Sequence, residues 1–172
     1  RTYPTNIGFL LLSILSARDI GYITTSQLIK KIENTLNTID KLQKWNGHLY
    51  NWYDTTTLHP LRPLYISTVD SGNFVGYLIT LAQGILEYLD KPVVHSTPAK
   101  GLVDTIEILD SCGLDTTVEK GILQDFVDRG DFDPVVWSQI LNSLMGRFNS
   151  IDVGENTEAQ CWIKKVRVSI EA

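Results

Sequence analysis

The sequence predicts an all-α fold of helical hairpins that form part of an α/α toroid. Three observations carry this expectation. Apolar residues recur at helical spacing along most of the chain, and helix start and stop residues separate the periodic stretches. An almost wholly apolar helix also alternates with a one-sided one. Inner helices of such a ring are covered by outer helices and by each other, whereas outer helices need a single buried stripe. No fixed-period similarity joins the hairpins, so regular tetratricopeptide-type repeats are excluded.

The first helix spans Thr5 to Ile20. Its apolar residues (Ile7, Phe9, Leu10, Leu11, Leu12, Ile14, Leu15, Ala17) crowd every face, which suits a helix surrounded by protein. Pro4 just ahead restricts the approach of the chain. In the second helix Leu28, Ile32, Leu36, Ile39 and Leu42 form one stripe, with Lys30, Lys31, Glu33, Asn34 and Asn37 on the other face. Thr24 and Gln27 read as a capping box at its start, each side chain satisfying the other's backbone donor.

Asp70 or Ser71 is expected to cap a third helix running through Phe74, Val75, Leu78, Leu81, Ala82, Ile85 and Leu89, ended by Asp90-Lys91-Pro92. Gly72, Gly76 and Gly84 each cost about 1 kcal/mol in a helix relative to alanine, which points to close approach of another backbone or of a ligand. Thr97-Pro98 supplies a cap and a first-turn proline before Leu102, Val103, Ile106 and Leu109. Further helices are expected over Thr117 to Phe126 with Gly130 after it, from Asp133-Pro134 to Phe148, and over Thr157 to Ile170.

The 172 residues suffice for a substantial core in one helical domain, 1–172, or one large piece of a bigger domain. A 43% hydrophobic and 20% charged composition suits a globular protein, and a net charge of -5 offers no basic field for nucleic acid. Cys112 and Cys161 are expected as free, buried thiols, with a single bridge left open. The longest apolar run, Ile7 to Leu15, is broken by Gly8 and Ser13 and falls short of the ~20 residues a bilayer demands, so no membrane span is expected. The chain opens on Arg1 without a signal-peptide pattern and reads as an excised segment of something longer.

Between the second and third helices lies an unusual passage, YNWYDTTTLHPLRPLYISTVDSGN (residues 50–73), too aromatic for a linker and too polar for a core strand. Together with RTYPTNIGFLLLSILSARDIGYI (1–23), GHL (47–49) and FVGYLITLAQG (74–84), it resembles one region of the bacterial cyclic β-1,2-glucan synthases, over residues 1 to about 90. Those are very large, membrane-anchored enzymes. The resemblance implies that this stretch follows the glycosyltransferase part and opens the middle, glucoamylase-like domain, an (α/α)6 toroid that closes linear β-1,2-glucan into rings by transglycosylation. It implies a location on the cytoplasmic face of the bacterial inner membrane, with the remainder of the parent polypeptide and β-1,2-glucan as partners. The chain departs from the family pattern at Gly76-Tyr77-Leu78, where a histidine is usual at the middle position.

Sugars present weakly polar faces and rings of hydroxyls, so aromatic platforms flanked by polar groups hold them. The candidates here are Tyr50, Trp52, Tyr53 and Tyr65 as platforms and Asp54, Arg62, Asp70, Ser71 and Asn73 as donors and acceptors. The competing structural reading has the aromatics plugging the helical core and the aspartates capping turns or helices. No catalytic residue is assigned. The resemblance puts the paired catalytic carboxylates downstream, and an aspartate at a helix start makes a poor general acid. The run Asp128 to Asp133 lacks EF-hand ligand spacing, and His48, His59 and His95 are too dispersed for a metal motif. No cofactor or metal is expected. The alternative function is a non-catalytic helical scaffold or protein-interaction module.

Overall fold

The computed structural model describes residues 1–171. The fold is all-α: α1 (Pro4–Asp19), α2 (Thr25–Lys41), α3 (Thr68–Leu86), α4 (Ser96–Ser111), α5 (Thr117–Arg129), α6 (Pro134–Ser150) and α7 (Thr157–Glu171). A short antiparallel hairpin, β1 (Lys44–Trp45) and β2 (His48–Leu49), precedes the aromatic insert. Among the described residues no helix is long and apolar enough to cross a membrane.

Local chemistry sets most helix ends. The capping box stands: the Thr24 amide donates to Gln27 Oε1 at 3.0 Å, and the Gln27 amide donates to Thr24 Oγ1 at 3.2 Å. Asp133 Oδ1 accepts from the Val135 amide at 2.6 Å, and Gly130 closes α5 in the left-handed region at φ 66°. Two caps differ from expectation. Ser67, not Asp70 or Ser71, begins α3, its Oγ accepting from the Asp70 amide at 3.1 Å. Asp70 then lies inside the first turn, where Oδ1 accepts from the Thr5 hydroxyl of α1. At α4 the cap is His95, whose Nδ1 accepts from the Thr97 amide at 3.3 Å, so Thr97 is already helical.

The chain separates into two compact units, Arg1–Ser16 with Leu28–Lys91, and Ala17–Gln27 with Pro92–Ala172. The first unit buries Ile7, Leu11, Ile14 and Leu15 of α1, Leu28, Ile32 and Ile39 of α2, and Leu81 of α3. Each such side chain contributes ~2 kcal/mol by leaving water. The helices α1 and α3 meet closely: the Tyr77 ring packs over Gly8 and lies 4.9 Å from the Phe9 ring. This is the position where the sequence departs from the family pattern, and it holds a packing contact. Gly84 is explained similarly, since a Cβ there would come within 2.5 Å of Leu15. A Cβ on Gly72 or Gly76 would meet nothing within 4 Å. One expectation fails: α1 is not covered on every face, because Phe9 and Leu10 stand half-exposed, and α3 likewise exposes Val75, Ile79 and Leu86.

In the second unit α4 packs on α5 and α7, and α6 on α7. Ile106, Leu109, Leu123, Leu144, Phe148 and Val166 form its core. Phe126 stacks on Trp137 with ring centres 5.1 Å apart. The backbones of Gly21 and Gly101 touch so closely that a Cβ on Gly101 would lie 2.2 Å from the Gly21 carbonyl oxygen. Both cysteines are free, yet neither is in the core as expected: Cys112 is half-buried and Cys161 exposed. Cys112 is the residue that ends α4, and Cys161 lies within α7.

Candidate functional site

The aromatic insert is organised around Tyr53, which is fully buried. Its backbone pairs with Thr2 in both directions, at 2.9 and 3.0 Å. Its hydroxyl accepts from the Tyr50 amide at 2.8 Å and donates to the Gln43 carbonyl at 2.7 Å. Burial pushes this phenol above its usual pKa. The loop then folds back on itself, with the Asn51 amide on the Tyr65 carbonyl at 2.7 Å and the Leu61 amide on the Trp52 carbonyl at 2.8 Å. Tyr50 is also buried. These two tyrosines, expected as sugar platforms, are buried internal supports instead; local spacing could not show that the Tyr53 backbone would pair with Thr2 and its hydroxyl with the Tyr50 amide.

Asp54 is a turn residue. Its Oδ1 accepts from the Thr56 amide at 2.7 Å and the Thr57 amide at 2.8 Å. The Thr57 and Thr56 amides hold its carboxyl below the usual range, which disfavours general-acid chemistry near neutral pH. Asp70 is engaged by Thr5. Trp52 is half-buried, with the Arg1 guanidinium 5.8 Å from its ring centre. Tyr65, Arg62 and Asn73 are exposed, which leaves the rim of the insert aromatic and polar.

Beside the insert, within the first unit, runs a groove of about 670 Å³, inside the ~300–1,000 Å³ span of small-ligand sites. The hairpin supplies Trp45 and His48, and the start of α3 supplies Thr68, Ser71, Gly72 and Phe74. Of the candidate sugar-binding side chains named from sequence, only Ser71 lines it. Its buried Oγ has no hydrogen-bond partner among the described residues. Trp45, 55% exposed, was missed. The signal was present: Asn46-Gly47 takes positive φ at both positions (47° and 84°), the two-residue hairpin turn that an Asn-Gly pair favours, and that turn presents the neighbouring indole. None of the lining residues is an aspartate or glutamate. Lys44, also at the groove, turns its ammonium onto the carbonyls of Ile39, Asp40 and Leu42.

The second unit carries a smaller cavity of about 310 Å³ bordered by Arg18, Tyr22, His95 and Trp137 among others. None of the candidate sugar-binding residues lines it. Among the described residues no group of three His, Cys, Asp or Glu side chains is placed to hold a metal ion.

No family model matches the chain. Over 95 residues, 55% of its length, it is 47% identical to the cyclic beta-(1,2)-glucan synthase NdvB of Rhizobium meliloti (strain 1021), and it spans about 3% of that protein. The likeness to the cyclic β-1,2-glucan synthases read from the sequence blocks is thereby borne out, and the chain is related to a segment of such an enzyme.

Proposed function

We propose, taking the likeness to a cyclic β-1,2-glucan synthase as premise, that this chain is a glucan-facing, non-catalytic segment of such an enzyme. It forms the N-terminal part of the glucoamylase-like cyclisation domain, an (α/α)6 toroid, and positions β-1,2-glucan for transglycosylation by residues elsewhere in the parent polypeptide. That parent is anchored in the inner membrane with this domain on the cytoplasmic side. The observation that carries the reading is the 47% identity over 95 residues. The site chemistry supports it: an exposed Trp45, Tyr65 and Arg62 offer stacking and hydrogen-bonding surface, and a groove without carboxylates can hold a glycoside but lacks the acid and nucleophile to cleave it.

Electrophoresis through gels cast with β-1,2-glucan, alongside chromatography of glucan incubated with the chain, tests this. Retarded migration with no new products is expected. Rings or shortened chains among the products would contradict the non-catalytic assignment.

A second reading, a helical scaffold, draws on the apolar side chains that α3 leaves uncovered, Val69, Val75, Ile79 and Leu86. A monomer whose migration is indifferent to glucan favours the scaffold.

A further inference from the structure

We infer that the groove between the Lys44–Leu49 hairpin and the first turns of α3 is a subsite for a neutral pyranose unit, with Trp45 as its stacking platform and the Ser71 hydroxyl as a hydrogen-bonding contact. The inference rests on the glucan-facing reading and says where the sugar lies.

Three features at this groove each cost stability without a return inside the chain. Trp45 leaves more than half of its surface in water. Ser71 Oγ is withdrawn from solvent yet unpaired among the described residues, a cost that folded proteins seldom leave unanswered. Gly72 weakens the helix, and a Cβ there would touch nothing, so no neighbour in the chain requires the glycine. Gly84, on the same helix, has such a neighbour in Leu15. Local rules broken together at one place mark a functional surface more often than a packing error. A ligand supplies the missing return at all three: a face for the indole, an atom in the space beside Gly72 and, with the Ser71 side chain turned into the groove, a partner for the hydroxyl.

The chemistry of the lining selects the class of ligand. Trp45 and Phe74 offer apolar area, and Ser71, Thr68 and His48 offer polar tips. No carboxylate is present to attract a cation, and the Lys44 ammonium is already held by three backbone carbonyls. A neutral ring with C–H faces and equatorial hydroxyls matches this better than a phosphate or an ammonium does.

Calorimetric titration of the 172-residue chain with linear β-1,2-glucan tests the assignment. Trp45→Ala is expected to weaken binding about tenfold, with Trp45→Phe recovering most of it. Ser71→Ala is expected to weaken binding severalfold while melting no lower than the parent chain, because it removes an unpaired hydroxyl. Gly72→Leu is expected to obstruct binding with helix stability retained. If the parent chain binds and these variants bind equally well, the groove assignment is overturned while the glucan reading stands. If the parent chain binds no glucan, both are overturned.

Discussion

The hydroxyl of Tyr53 lies 2.8 Å from the backbone nitrogen of Tyr50, and that contact makes two aromatic residues of the insert into its internal frame. Tyr65 and Arg62, among the exposed members of the passage, project from a loop whose fold this pair secures. Removing the hydroxyl with Tyr53→Phe leaves the buried Tyr50 amide and the Gln43 carbonyl without their partner, at an expected cost of about 1–3 kcal/mol in urea denaturation.

The same phenol gives an alkaline signature. Burial raises its pKa above 10.0, so folding favours the neutral form. Its contribution to stability is complete below the unfolded value and is lost as pH rises through the raised folded value. Denaturation midpoints followed upward from pH 9 are expected to fall less steeply in Tyr53→Phe than in the parent chain.

Asp54 gives the acidic counterpart. The Thr57 and Thr56 amides depress its pKa below 3.8, so its contribution is present above the unfolded value and disappears as pH falls through the folded one. The Thr56 and Thr57 amide resonances are expected to titrate with a midpoint below 3.8. Asp54→Asn retains an oxygen acceptor for the turn and is expected to abolish that titration without unfolding the loop.

Two glycines separate packing from openness. Gly101→Ala drives a methyl into the Gly21 backbone, which cannot yield as a side chain does, and is expected to destabilise by roughly 2–3 kcal/mol. Gly72→Ala meets no atom within 4 Å and is expected to stabilise α3 by up to about 1 kcal/mol. Thermal melts of the two variants are expected to move in opposite directions.

Glu119 of α5 is buried and accepts from Arg147 Nε of α6 at 2.5 Å. Arg147→Ala strands that carboxylate and is expected to cost about 2 kcal/mol, tempered by the partial exposure of the arginine. Urea denaturation measures the loss; β-1,2-glucan binding in the first unit is expected to be unchanged.

Helix content was legible because period and punctuation agreed: the Thr24 box, the Asp133-Pro134 start and the Gly130 stop all act through neighbours within one turn. Choices decided over longer range were not. Ser67 caps α3 in place of Asp70, whose carboxylate is drawn to Thr5, 65 residues away. An aromatic cluster in a loop does not declare which rings will be sealed; Tyr53 is pinned by its backbone pairing with Thr2, and Tyr50 is tied to the Tyr53 hydroxyl. Ser71 was identified for its hydroxyl, but the groove that gives it meaning depends on Trp45 across the hairpin.

The most direct measurement is the ¹⁵N indole spectrum of the four tryptophans during titration with linear β-1,2-glucan. The Trp45 resonance is expected to move saturably while Trp137 and Trp162 of the second unit stay fixed. A Trp45 resonance that does not respond at glucan concentrations where the gel assay shows binding would contradict the groove.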